Sequence, residues 1–87
     1  MARKVIKKEI ITASEGDIMR LAIKDRGITQ LDVADRLGLL QSTVSSSMNR
    51  KRTTVDSFRR VLNVMDYDIA VIDRESGEVK WILAQEK

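Results

Sequence analysis

With 87 residues, 43% hydrophobic and 33% charged, the chain has the make-up of one small globular domain and not of a disordered tail. It contains no Cys and no His, which excludes disulfides, thiolate chemistry, the usual zinc sites and a histidine general base. Its formal net charge of +3 suits a polyanionic partner without requiring one.

Other function classes fall away on inspection. No apolar run approaches the roughly 20 residues of a membrane helix. The basic start Met1-Ala2-Arg3-Lys4 lacks the continuous apolar stretch of a secretory signal. A cytoplasmic protein with no membrane partner is therefore expected. The glycines form no phosphate-binding loop, and no serine has a histidine to activate it. Neither catalysis nor a cofactor is expected. A chain this short leaves much of its surface exposed, so an addition to its core, such as dimerisation, would stabilise it.

In chain order the sequence divides into a basic arm (1–13), a helical middle (14–66) and a C-terminal hairpin (67–87). The arm places Arg3, Lys4, Lys7 and Lys8 around Val5, Ile6, Ile10 and Ile11, a pattern that fits a strand or an ordered arm. Ser14 then reads as the N-cap of a first helix over 15–26, with acids in its first turn and Gly27 to end it. Ile18, Leu21 and Ala22 give that helix its apolar spacing. Thr29 caps a second helix, Gln30 to Leu37, whose apolar stripe is Val33, Ala34 and Leu37. Gly38 ends it, and only Leu39 and Leu40 precede a third helix over 41–49. Thr53 or Thr54 opens a fourth, with Val55, Phe58, Val61, Leu62 and Met65 at helical spacing. The period then changes. Tyr67 to Ile72 and Val79 to Leu83 read as strands, joined by the turn residues Asp73-Arg74-Glu75-Ser76-Gly77-Glu78.

The segment Ile28 to Ser45 has a Thr-Gln start, Ala34 mid-helix, Leu37-Gly38 at the turn, and then Gln41-Ser42-Thr43-Val44-Ser45. It resembles the helix-turn-helix signature of Cro/repressor-type (Xre-like) regulators, and the resemblance continues through Asn49–Arg52 to near Met65. The implied fold is mainly α: a lambda-repressor-like four-helix domain with an appended C-terminal β-hairpin. The implied activity is sequence-specific DNA binding in transcription regulation, with repression in a phage, plasmid or bacterial genome as the expected role.

The residues support this in their own chemistry. Ala34 lets two helices approach closely, Gly38 permits the positive φ that reverses the chain, and Val44 plugs the third helix into the core. Gln41, Ser42, Ser45 and Ser46 remain near that helix's start as short hydrogen-bonding groups suited to base edges in the major groove. The alternative is that they are simply solvated polar residues of a surface helix. The resemblance implies base reading by Gln41, Ser42 and Ser46, and phosphate contacts by Gln30 and Thr43. Asn49, Arg50, Lys51 and Arg52 follow where side chains would flank the groove and hold phosphates. Three positions depart from the family pattern. Leu40 stands where a capping Ser or Thr is common, Ser47 where an apolar residue is, and Arg50 where a Gly is. Met48 is the substitute core residue.

The hairpin presents Tyr67, Ile69, Val71, Val79, Trp81 and Leu83 as one apolar face, with Ile72 and Ile82 on the other. It is either core, packed on the fourth helix, or a homodimer interface that lets two reading helices meet half-sites one helical turn apart. Dimerisation is the favoured expectation. The arm is either a backbone or minor-groove contact or uninvolved. A second reading of the whole chain is a protein-interaction module on the same fold, such as an antitoxin bound to its toxin. A third is recruitment of the fold to bind RNA or another protein.

Overall fold

The computed structural model describes residues 11–85. The basic cluster at Arg3–Lys8 and the strand suggested for Val5–Ile11 lie outside the described residues, except for Ile11, which is exposed irregular chain. The protein is mainly helical. Helices α1 (Glu15–Arg26), α2 (Gln30–Leu37), α3 (Gln41–Asn49) and α4 (Val55–Asn63) precede strands β1 (Ala70–Ile72) and β2 (Val79–Ile82), which form a two-stranded antiparallel sheet.

Local chemistry sets the helix ends. The Ser14 hydroxyl accepts from the Asp17 N–H and starts α1, while Gly27, at φ 69°, closes it. Thr29 and Asp32 form a reciprocal capping box at α2, which Gly38 closes at φ 71°. Thr54 caps α4 by accepting from the Ser57 N–H. Each side-chain cap is worth about 1 kcal/mol.

The core is small and shared evenly. Met19 and Ala22 of α1, Val33 and Ala34 of α2, Val44 and Met48 of α3, and Val61 and Leu62 of α4 are buried together, with Met65 just beyond α4. Each buried Met, Val or Leu side chain contributes about 1.5–3 kcal/mol. Flexible methionines fill gaps that rigid side chains would leave. Two apolar residues expected on buried stripes are not there. Val55 is exposed because it is the first residue of α4, beyond the reach of the other helices, and Leu21 is exposed on the flank of α1.

Helix α4 ends without glycine, and two guanidinium groups serve its last carbonyls instead. Arg36 donates to the Val64 carbonyl (2.8 Å), and Arg26 donates to those of Met65 (2.8 Å) and Asp66 (3.1 Å). Asp66 occupies the left-handed region at φ 66°, which redirects the chain towards the hairpin. The Arg26 guanidinium then lies 4.0 Å from the centre of the Tyr67 ring, and the Tyr67 hydroxyl donates to Asp25. The ends of α1 and α2 thus fix the root of the hairpin. Gln85 donating to Asp68 (3.0 Å) and the Leu83 N–H donating to the Ile69 carbonyl (2.8 Å) close it.

Beyond its root the hairpin differs from the simple alternation expected. The partners are Ala70 with Ile82, Val71 with Trp81, and Ile72 with Val79, with a bulge between the last two pairs. Cross-strand partners share a face, so the bulge moves Val79 to the side of Ile72. The six-residue face expected from alternation is therefore corrected. Ile69, Val71, Trp81 and Leu83 keep to one side, Val79 leaves it, and Tyr67 precedes the strands as part of the hairpin's attachment. Every residue of both strands is exposed.

Tyr67 is the sole tyrosine, and its bond to Asp25 pushes the phenol above its ordinary range, only partly opposed by Arg26. A folded value above the unfolded one means that the contact stabilises fully below about pH 10. That stabilisation is lost as pH rises through the raised value. Ultraviolet titration should find a midpoint above that of free tyrosine, and Asp25→Asn should bring it back down.

Candidate functional site

Helix α3 is held by its two buried side chains, Val44 and Met48, against α1 and α2. With 3.6 residues per turn, these define an inner face, and Ser42, Ser46 and Asn49 fall on the opposite one at i, i+4 and i+7. All three are exposed, as are Gln41 at the first helical position and Thr43 on the flank. Ser45, expected beside them, is half-buried, because its position turns it towards the neighbouring helix surface. Gln30 is half-buried at the start of α2. The outer surface of α3 therefore consists of hydroxyl and amide groups, and the helix carries no charged residue.

The helix itself is weakly encoded. Serine is an indifferent helix former, and the N-cap position holds Leu40, which makes no side-chain cap bond and is 73% exposed. Leu39 beside it is better placed. With Leu37 and Val61 it lines a hollow of about 190 Å³ between the α2–α3 turn and α4.

The feature that sequence reasoning missed is Gly16. This residue is buried in the first turn of α1, where the chain passes under the end of α3. A Cβ there would stand 2.6 Å from the Met48 carbonyl oxygen and still closer to that of Arg50. Four residues on, Arg20 donates to the Met48 carbonyl (3.3 Å) and to the Asn49 side-chain oxygen. Together Gly16 and Arg20 anchor the C-terminal end of α3 and the segment that leaves it. The signal was available in principle. A glycine inside a helix costs about 1 kcal/mol relative to alanine, so one placed just after a good cap implies a packing reason.

The anchored segment carries Arg50, Lys51 and Arg52, all exposed. Among the described residues none of the three forms an ion pair. By contrast, Arg59 and Arg60 of α4 pair with Asp56. The structure thus brings together an outward polar helix face and a run of three cations at its C-terminal end. Asn49 joins the two, with its oxygen taken by Arg20 and its amide nitrogen left to donate. No group of three or more potential metal-binding side chains occurs among the described residues.

Two outcomes test this construction. Gly16→Ala should destabilise the fold by about 3 kcal/mol, at the upper end for overpacking because the obstacle is backbone, as read by urea denaturation. Leu40→Ser should do the opposite, raising stability by about 1 kcal/mol by supplying the missing cap.

Compared with family models, with curated proteins and with solved structures, the chain matches none.

Proposed function

We propose that this protein is a sequence-specific double-stranded DNA-binding regulator of the Cro/repressor helix-turn-helix kind, acting as a homodimeric repressor. The observation that carries this reading is the juxtaposition at α3. An exposed, uncharged, hydrogen-bonding helix face runs into three cations that, among the described residues, no acidic side chain neutralises. A helix of this width fits the major groove of B-DNA, where base edges offer donor and acceptor patterns to amide and hydroxyl groups. The cations then meet phosphates and supply the sequence-independent part of the affinity.

In this reading Gln41, Ser42 and Ser46 face bases, and Ser45, half-buried, reads at most from the flank. Gln30, Thr43, Asn49, Arg50, Lys51 and Arg52 hold the backbone. The α2–turn–α3 pair is the helix-turn-helix unit. The exposed hairpin supports a twofold partner, which places two copies of α3 one helical turn apart. The same exposed apolar strands favour a second reading, a protein-interaction module such as an antitoxin, in which the hairpin meets a different protein.

The test is selection of bound sequences from a random duplex pool at near-physiological salt. The DNA reading expects a palindrome with half-sites about 10 base pairs apart. Recovery of no motif, with binding that disappears as salt rises, sinks it and leaves the interaction module. On the selected operator, Gln41→Ala should cost about 1–3 kcal/mol at one base position only. Lys51→Ala should weaken binding to all sequences alike and reduce the salt slope by about one.

A further inference from the structure

Helix α1 meets the end of α3 with the side that carries Gly16 and Arg20. With 3.6 residues per turn, Ile18, Leu21 and Asp25 fall on its opposite side. Together with Leu62 of α4 and with Tyr67 and Asp68 at the hairpin root, they line an open, largely apolar groove of about 410 Å³. Ile11, three residues before the cap of α1, completes the lining. The apolar part of the groove is uncovered: Leu21 is 41% exposed and Ile11 66%. Its charge has one sign. Among the described lining residues, the charged side chains are those of Asp25 and Asp68, both exposed. Asp25 accepts from the Tyr67 hydroxyl and Asp68 from the Gln85 amide, neutral donors that leave both negative charges in place. Among the described residues neither carboxylate has an ion-pair partner. Arg26 directs its donors to the Met65 and Asp66 carbonyls, and Lys24 stands outside the lining.

We infer that residues 5–10 of this same chain fill the groove, with Ile6 and Ile10 seated on Leu21 and the neighbouring lysines drawn to Asp25 and Asp68. Continuity, reach, pattern and charge select this occupant. Ile11 already lines the groove, so the chain itself delivers the preceding segment to the site, at the high effective concentration of an intramolecular contact. The six residues from Ile11 back to Val5 span up to about 20 Å when extended, whereas Ile18 and Asp25 lie only about 10 Å apart along α1. Ile6 and Ile10 are four residues apart, a spacing that puts them on one side in either a strand or a helix. Residues 1–10 hold Arg3, Lys4, Lys7 and Lys8 against the single acid Glu9. That segment accounts for the whole formal net charge of +3, residues 11–87 being balanced. The outer hairpin cannot match it, since Asp73, Glu75 and Glu78 outnumber Arg74 and Lys80 there. The groove lies on the side of α1 away from α3, so the docked arm holds its cations apart from Arg50–Arg52. The arm is thus part of the fold and not a second nucleic-acid contact.

The experiment is nuclear Overhauser spectroscopy of the full chain with labelled isoleucine and leucine methyl groups, repeated on a mixture of labelled and unlabelled protein. The expected result is cross-peaks from the Ile6 and Ile10 methyls to those of Leu21 and to the ring of Tyr67, the sole tyrosine. They should be unchanged by dilution and absent between chains. Ile6→Asp and Ile10→Asp should each lower the urea midpoint by about 1 M, with helical circular dichroism retained before denaturation. In a Leu21→Lys background Ile6→Asp should cause no further fall, because the two side chains share one contact. Asp68→Lys should also lower the midpoint, and its effect should vanish once Ile6 and Ile10 are both replaced by Asp. Cross-peaks seen only between chains overturn the proposal and give the groove to the arm of a second copy. Absence of any cross-peak to Leu21 or Tyr67 overturns it as well. So does a urea midpoint that Ile6→Asp and Ile10→Asp leave unchanged. None of these readouts depends on what α3 binds, so failure of the DNA reading leaves the docked arm standing.

Discussion

The close passage of α1 beneath the end of α3 is the contact on which the candidate site depends. It exists because Gly16 has no side chain, so backbone meets backbone where any Cβ would collide with two carbonyl oxygens. Arg20 then uses two of its donors to tie down the same end, at Met48 and Asn49. Helix α3 has no side-chain cap, no charged residue and a run of serines, so little in its own sequence keeps it helical. Its order comes from tertiary contacts: Val44 and Met48 in the core and the anchor at its end. The exposed cations at Arg50–Arg52 take their position from that anchor.

A similar economy governs the other end of the molecule. Helix α4 lacks the glycine that closes α1 and α2, and its terminal carbonyls are met by Arg26 and Arg36 from the ends of those helices. Arg26 also stacks on Tyr67, whose hydroxyl is held by Asp25. Three helix ends and the root of the hairpin therefore converge on one polar cluster. That cluster fixes the direction in which the hairpin leaves the body, although every residue of the strands themselves is exposed.

How legible this was depended on whether the determinant was local. Helix bounds follow from caps and glycines a few residues apart, and Ser14, Gly27, Thr29 and Gly38 act as their sequence suggests. Met48 also fills the core where Ser47 does not. The failures share a non-local origin. The role of Gly16 depends on a carbonyl 34 residues away. The position of Val79 depends on a bulge, and one extra residue in a strand leaves no mark in a pattern of alternating side chains. The burial of Ser45 depends on how far α3 is rotated, which Val44 and Met48 set jointly. Which residues could form the site was thus readable, and Gln41, Ser42 and Ser46 are exposed as expected, whereas the partial burial of Ser45 was not legible.

The division of labour within α3 has a consequence for how such a protein can change over time. Two buried side chains, one distant glycine and Arg20 hold the helix, whereas Ser42, Ser46 and Gln41 are exposed and lie outside the core. Substitutions at those positions leave stability close to neutral, as exposed positions without special contacts generally do. The outer surface of α3 is in that sense detachable from the scaffold. A lineage can replace its chemistry residue by residue without passing through an unfolded ancestor.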